Sequence, residues 1–206
     1  MEPKWLVWAK ALQAIAQNGL TYTENHFDVE RYKSVREIAA EIMASYARVD
    51  RTLVLNLFSQ ETGYATPKVD VRGVVFQADQ ILLVKEKADG RWTLPGGWAD
   101  VNESPREAVV REIREESGYE TLPTKLLAVY DRSKHGHEPA FPFHVYKLFI
   151  LCDLIGGEAA TSSETSDVGF FEEEVLPELS HSRITVSQIK RFFKHYRESD
   201  LPTDSD

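Results

Sequence analysis

Hydrophobic residues in the first quarter of the chain recur every three or four positions, which is the spacing of a helix that buries one face. The first such set comprises Trp5, Trp8, Ala9, Leu12 and Ala16. It stops at Asn18-Gly19, and Asp28 then predicts the N-cap of a second helix. The apolar stripe of that second helix comprises Val35, Ile38, Ala39, Ile42 and Tyr46. Because two short helices cannot enclose a core, we expect residues 1–47 to form a small N-terminal helical domain that covers another surface.

After a connector expected over residues 48–66, apolar and polar residues alternate, and this pattern predicts strands. The stretches 69–76 and 81–84 are separated by polar residues and are typical of a β-hairpin. Later strands are expected at 126–131, 144–153 and 167–171. A final helix is expected to begin near Thr185, because Thr185 and Gln188 have the spacing of a capping box. The polar tail over residues 200–206 is expected to fray.

The residues that carry chemistry lie between Leu94 and Tyr119. Here the consecutive residues Gly96 and Gly97 make a turn in which the main chain can adopt unusual backbone angles and approach a ligand. A strong helix start follows, marked by an N-cap, a first-turn proline and a capping-box glutamate: Ser104, Pro105 and Glu107. Gly118 supplies the helix stop. The spacing therefore predicts a helix over residues 105–117.

Three glutamates on this helix, Glu112, Glu115 and Glu116, lie at positions i, i+3 and i+4, which places their carboxylates on one face. Their mutual repulsion costs stability unless a cation neutralises it. Carboxylate oxygens are the hard ligands that Mg²⁺ and Mn²⁺ prefer. Arg111 has the spacing to pair with Glu115 or with Glu103, and we expect it to hold a carboxylate in place.

The complete string decides between a solvated face and a site. It runs Gly97, five residues, Glu103, seven residues, Arg111-Glu112-Ile113, one residue, Glu115-Glu116, one residue, Gly118-Tyr119. A Glu- and Arg-rich helix is usually just a solvated face, but this string resembles the Nudix box at every fixed and hydrophobic position. The resemblance implies the α/β class, a Nudix α/β/α sandwich over residues 67–199, and a metal-dependent pyrophosphohydrolase.

The same resemblance implies roles for particular residues. Glu112, Glu115 and Glu116 are expected to hold Mg²⁺, with Mn²⁺ as the alternative. Glu164 lies in a loop that often supplies an extra ligand or base in Nudix enzymes, so the general base is open among Glu115, Glu116 and Glu164. Arg111 is expected to contribute to catalysis by holding a carboxylate in place. Substrate contacts are expected from the glycine turn and the loop after it, namely Gly96, Gly97, Trp98 and Glu103. Trp98 is expected either to stack on a base or to pack as part of a lid or core.

The first half of the chain also resembles a bacterial Nudix subgroup with an N-terminal helical domain. The resemblance rests on the stretch Trp5 to Tyr22 and on Pro67-Lys68-Val69-Asp70-Val71-Arg72. Members are ADP-ribose and CDP-choline pyrophosphatases, so the expected substrate is a nucleoside diphosphate joined to another group, and a homodimer is expected. The chain departs from the usual ADP-ribose pattern, in which a proline lies about fifteen residues beyond the box. Lys134 and His135 stand there, and the nearest downstream proline is Pro139.

Composition limits the alternatives. The net charge of −9 over 206 residues argues against nucleic acid as the main partner. A basic last helix keeps an RNA-end or exonuclease activity as one alternative, and a non-catalytic nucleotide sensor is the other. No apolar run is long enough to span a membrane, and no secretory signal pattern opens the chain. The single cysteine, Cys152, excludes an intramolecular disulfide, and we expect inert packing there and a cytoplasmic location. The close pair His135 and His137 receives no role.

Overall fold

The computed structural model describes residues 2–206, and these residues divide into two compact units. The first unit comprises the chain up to Pro67 together with Phe141–His144. The second comprises Lys68–Ala140 and Val145–Asp206. Buried apolar side chains form one cluster in the first unit and two clusters in the second.

The first unit contains three helices: α1 (Lys4–Tyr22), α2 (His26–Ala47) and α3 (Arg51–Gln60). The predicted stop of α1 at Asn18-Gly19 is wrong, because the helix continues through Gly19. A glycine inside a helix costs only about 1 kcal/mol, and here its missing side chain makes room for the ring of Tyr32, which lies 2.4 Å from where a Cβ would stand. The N-cap of α2 is Asn25, whose side chain accepts a hydrogen bond from the Phe27 amide, and Asp28 lies in the first turn.

The buried face of these helices is built mainly from small side chains. Its cluster contains Leu6, Ala9, Ala39, Ala40, Met43, Ala44, Val54 and Phe58. Of the predicted stripes, the alanines are buried within the unit, whereas Trp8, Ile38 and Tyr46 are 60%, 54% and 65% exposed in the single chain. Small alanine side chains allow the helices to approach closely, so alanines lie at the helix contacts. The spacing of hydrophobic residues does not show which of them, small or large, occupies the contact. Residues 48–66, expected as a connector, supply α3.

The second unit is built on a seven-stranded mixed sheet. Its strands are β1 (Lys68–Gln77), β2 (Gln80–Glu86), β3 (Trp92–Thr93), β4 (Tyr119–Asp131), β5 (Val145–Gly157), β6 (Thr165–Phe171) and β7 (Asp204–Ser205), and its helices are α4 (Pro105–Ser117) and α5 (Val186–Arg197). The strand order is β3-β2-β1-β5-β4-β7, and β6 pairs with β2. β1 and β5 are parallel neighbours. The predicted hairpin of β1 and β2 is confirmed, with Phe76 opposite Ile81.

Alternation along β1 sends side chains to two layers. Val71 and Val75 pack in one cluster with Ile113 of α4. Val74 packs in the other cluster with Phe193 of α5. The sheet is therefore covered by a helix on each face, and the expected α/β/α sandwich is confirmed. No helix within residues 2–206 combines the length and the apolar character that crossing a bilayer requires.

The polar tail does not fray as predicted, because β7 pairs in parallel with β4. Asp204 accepts two hydrogen bonds from Arg191, at 2.6 and 2.5 Å, one from the Tyr130 hydroxyl at 2.9 Å, and contacts His195 Nε2 at 3.0 Å. These contacts, above all those from Arg191, hold the pKa of Asp204 well below its usual range. The pattern of polar residues could not show that one of them has three partners elsewhere in the fold.

Candidate active site

The glycine loop, residues 94–97, is bound to β1 by main-chain hydrogen bonds. The Gly73 amide donates to Pro95 O and the Val71 amide donates to Gly97 O, both at 2.8 Å. Gly96 has φ +140°, and a Cβ there would stand 2.1 Å from Val71 O. No other residue fits this position, because both the backbone angle and the space require glycine.

The helix that follows has the ends that its sequence predicts. The Glu107 amide donates to Ser104 Oγ at 3.3 Å, and the Ser104 amide donates to Glu107 Oε2 at 2.8 Å, which completes the capping box. At the other end Gly118 has φ 76°. The local signals therefore set α4 in register, and its inner face meets the glycine loop.

Two of the predicted metal-binding carboxylates lie against that loop. Glu116 is 6% exposed, and one of its oxygens accepts a hydrogen bond from the Gly96 amide at 2.8 Å. Burial raises the pKa of Glu116 to about 7, against the opposing effects of the Arg72 charge and the Gly96 amide. Both oxygens of Glu112 stand 3.1 Å from the position that a Cβ on Gly97 would occupy. Burial also raises the pKa of Glu112.

The third carboxylate, Glu115, stands apart. Its side chain is 59% exposed, and it accepts a hydrogen bond from Arg111 at 3.2 Å. Arg111 also donates to both oxygens of Glu103, at 2.8 and 2.9 Å, and to Glu112 at 2.9 Å. Arg111 therefore pairs with both of the partners expected for it and joins the loop glutamate to the helix.

These donors suit a divalent cation in their chemistry. Within residues 2–206, no three His, Cys, Asp or Glu side chains are already gathered as a ligand set, and Arg111 occupies oxygens of both Glu112 and Glu115. Burial nevertheless makes the charges of Glu112 and Glu116 costly, and a hard cation relieves such a cost. Glu112, Glu115 and Glu116 thus fit Mg²⁺ or Mn²⁺ by donor type.

Glu164 lies at the end of the loop before β6, and its carbonyl accepts a hydrogen bond from the Lys87 amide at 2.8 Å. Its carboxylate is exposed and makes no hydrogen bond or ion pair with residues 2–206. A charged residue that the sequence analysis did not single out, Glu86, is 5% exposed and paired with Arg183 at 3.0 Å. Burial raises the pKa of Glu86, and the Glu164 charge adds to this rise. The available signal was a glutamate two positions after Val84, on the same face of the strand as that apolar residue.

A buried ion network beneath the loop was also missed. Arg72 donates to both oxygens of Asp70, at 2.9 and 2.8 Å, and to the carbonyl of Leu94 at 3.2 Å. Lys147 donates to Asp70 Oδ1 at 2.6 Å. Although burial opposes it, the charges of Arg72 and Lys147 hold the pKa of Asp70 well below its usual range. Burial lowers the pKa of Lys147 to about 8, against the opposing charge of Asp70.

The remaining candidates have ordinary structural surroundings. Trp98 is 47% exposed and forms a β-bridge with Asp70. His137 is buried between His181 O and the side chain of Gln188, and burial lowers its pKa to about 3. Cys152 is buried in the sheet, and burial raises its pKa to about 12. Neither His137 nor Cys152 has the surroundings of a ligand or a nucleophile.

Comparison with known proteins identifies the family. Residues 66–192 match the family model described as the NUDIX domain. The chain belongs to the Nudix family of hydrolases. In addition, residues 3–58 match a Nudix-associated family described as a UDP-X-like, N-terminal oligomerisation domain. The family assignment made from the Nudix box is thereby confirmed.

Several relatives of this Nudix chain cover much of its length. YjhB of Bacillus subtilis (strain 168), provisionally named an ADP-ribose pyrophosphatase, is 47% identical over 203 residues, which are 98% of this chain and 97% of that protein. The crystal structure of a UDP-X diphosphatase has a TM-score of 0.64 at 30% identity and covers 98% of both chains. An ADP-ribose pyrophosphatase from Streptococcus suis has a TM-score of 0.63 at 40% identity, covering 68% of this chain and 100% of the other.

Proposed function

We propose that this Nudix hydrolase cleaves the diphosphate of a nucleoside diphosphate joined to a second group, giving a nucleoside monophosphate and a phosphorylated second product. The observation that carries the proposal is a pair of carboxylates on the Nudix-box helix, the half-buried Glu112 and the buried Glu116, which lie against the glycine loop. The names of the relatives support ADP-ribose and UDP-linked compounds as substrates. CDP-choline is a third member of the same chemical class.

Each residue of the site has a proposed task. Glu112, Glu115 and Glu116 hold Mg²⁺, or Mn²⁺ in its place. Such a cation neutralises diphosphate oxygens and favours deprotonation of an attacking water. The loop residues Gly96, Gly97, Trp98 and Glu103 line the substrate, and Arg111 keeps the carboxylates of Glu103 and Glu112 in place.

The general base was open among three glutamates, and their surroundings favour one of them. Glu116 accepts a hydrogen bond from the Gly96 amide, and Glu115 accepts one from Arg111, so both carboxylates already have hydrogen-bond partners. The carboxylate of Glu164 is exposed and unpaired within residues 2–206. We therefore assign Glu164 as the group that removes the proton from water.

The decisive experiment is hydrolysis of a substrate panel with Mg²⁺ and with Mn²⁺, comparing the wild type with Glu115→Gln and Glu116→Gln. We expect turnover of a linked diphosphate that falls by about two or more orders of magnitude in both variants, with nucleoside monophosphate as a product. Glu174→Gln, at an exposed position outside the site, is the matched control and should keep full activity. EDTA should abolish turnover and excess Mg²⁺ should restore it. Near-normal activity of either site variant would contradict the assignment.

The panel also separates the alternatives. ADP-ribose, UDP-sugars, CDP-choline, nucleoside triphosphates and short RNA are compared at equal concentration. Faster hydrolysis of triphosphates or RNA than of every linked diphosphate would replace the proposed substrate class. Binding without turnover of any compound would instead favour a nucleotide sensor.

We further propose that the first unit forms a homodimer in the cytoplasm. The match to an oligomerisation domain supports the dimer, as do large apolar side chains exposed on its helices, among them Trp8 and Leu53 at 60% and 64%. Trp8→Glu and Leu53→Glu should shift the mass measured by light scattering from dimer to monomer, and an unchanged mass would contradict the proposal. A single buried cysteine suits a reducing compartment, and cell fractionation tests the location.

A further inference from the structure

The buried network of Asp70, Arg72 and Lys147 is not explained by stability alone. The three residues are 6%, 5% and 2% exposed, and Asp70 on β1 lies opposite Lys147 on β5. Burying three charges is costly even when they are well paired, and apolar residues of similar volume are often as stabilising. The network is bonded to the glycine loop through Leu94, so its role is to be sought in the candidate active site.

The guanidinium of Arg72 is fixed in orientation and also reaches the loop. Two of its nitrogens donate to the two oxygens of Asp70. Lys147 holds one of those oxygens from the other side at 2.6 Å. The remaining nitrogen, Nη1, donates to the carbonyl of Leu94, the residue that leads into Pro95 and Gly96. Only a planar fork makes these contacts together, because the single ammonium group of a lysine is a compact point charge.

The same guanidinium acts on the buried carboxylates. Its charge interacts with Glu116 and with Glu86 as well as with Asp70. Glu116 in turn accepts a hydrogen bond from the amide of Gly96, and Arg72 donates to the carbonyl of Leu94 in the same loop, so the loop connects Arg72 to this carboxylate. A displaced Arg72 would shift the position of the loop relative to Glu116.

We propose that Arg72 is a positioning residue: held by Asp70 and Lys147, it fixes the start of the glycine loop at Leu94. The loop then holds Glu116 through the Gly96 amide, so that this carboxylate meets its cation in one geometry. The inference rests on the proposed function, because it takes Glu116 as a metal ligand. Partners that orient metal ligands typically contribute ten- to hundredfold to metal affinity or activity.

The test compares Arg72→Lys with Arg191→Lys. Both changes keep the charge and remove a fork that binds an aspartate at two oxygens, but Arg191 serves the Asp204 contact at the tail. Arg72→Lys should lower kcat by about ten- to hundredfold with KM changed less than about threefold, since the lost interaction serves the transition state. It should also weaken Mn²⁺ binding to the substrate-free protein, measured by electron paramagnetic resonance, by about tenfold. Arg191→Lys should lower the melting temperature and leave kcat, KM and Mn²⁺ affinity unchanged.

A second variant keeps the inference testable if Arg72→Lys does not fold. Lys147→Met leaves Arg72 and Asp70 in place and removes the group that holds Asp70 from β5, and it should lower kcat and Mn²⁺ affinity by about tenfold. The inference is overturned if the folded variants lose no more kcat and Mn²⁺ affinity than Arg191→Lys does at an equal loss of melting temperature. Failure of the proposed function has a different signature, namely a wild type that neither binds Mn²⁺ through Glu116 nor hydrolyses any linked diphosphate.

Discussion

Two adjacent glycines in the loop are expected to respond differently to the same substitution. Gly96→Ala places a Cβ 2.1 Å from Val71 O at a φ of +140°, so the loop must move away from β1. Three hydrogen bonds are then at risk, from the amides of Val71, Gly73 and Gly96. At about 1 kcal/mol each, with roughly 1–3 kcal/mol of backbone strain, the loss is about 5 kcal/mol, comparable with the total stability of many proteins.

Gly97→Ala has no such collision. Its Cβ would stand 3.1 Å from the two oxygens of Glu112, which are the end of a flexible side chain and can move by a few tenths of an ångström. We expect a stability change within about 1 kcal/mol. Turnover should nevertheless fall by roughly tenfold, because a metal-binding carboxylate is displaced.

The assays are thermal unfolding and steady-state hydrolysis of the wild type, Gly96→Ala and Gly97→Ala. Gly90→Ala is the matched control. Gly90 has φ +69° and nothing within 4 Å of its added Cβ, so this variant isolates backbone strain from collision. At roughly 2–4 °C per kcal/mol for a chain of this size, Gly96→Ala should melt about 10–20 °C below the wild type. If Gly96→Ala has the same melting temperature as Gly90→Ala and keeps its activity, the collision argument is wrong.

Three further outcomes are expected. Without metal, raising the pH through 7 should destabilise the wild type relative to Glu116→Gln by up to about 3 kcal/mol. The reason is that the raised pKa of Glu116, about 7 in the folded state, gives stability that is complete below the unfolded pKa and is lost as the carboxylate ionises. The prediction is contradicted if the difference in unfolding free energy between the wild type and Glu116→Gln, measured by urea unfolding, is the same at pH 5 and at pH 8. Asp204→Asn should lower the melting temperature by roughly 4–8 °C without changing kcat, because the charged acceptor of Arg191, His195 and Tyr130 is lost. An unchanged melting curve would show that the tail contacts contribute nothing. Glu164→Gln should lower kcat by about a hundredfold or more and keep the melting temperature, whereas normal turnover would return the base to Glu115 or Glu116.

What the sequence could predict was set by how local each signal is. The ends of α4 are written within fifteen residues as a capping box and a glycine in the left-handed region, so helix, register and the facing of Glu112 and Glu116 all follow from spacing. The hairpin of β1 and β2 is local in the same way. The box as a whole added the family, because its fixed positions carry far more information than any one glutamate.

The features that were missed depend on contacts between distant residues. Lys147 meets Asp70 across 77 positions of sequence, and Asp204 meets Tyr130 across 74. A strand pattern that places Asp70 and Arg72 among apolar neighbours shows only that two charges are out of place, not which partners make them tolerable. For the helices, periodicity identifies an apolar face but does not show which of its residues pack inside the unit and which, like Trp8 and Tyr46, stay exposed.

The paired tail has a consequence for how copies of this chain can associate. β4 has β5 on one side, and on its other side β7 pairs at Ala128 and Val129, while Thr203 donates to the carbonyl of Leu126 and Lys125 donates to the carbonyls of Ser199 and Leu201. An open strand margin offers unpaired amides and carbonyls that recruit strands from other molecules, the first step towards fibrous aggregates. Because β7 pairs with this edge of β4 at Ala128 and Val129, the chain covers the edge itself and disfavours edge-to-edge polymerisation there.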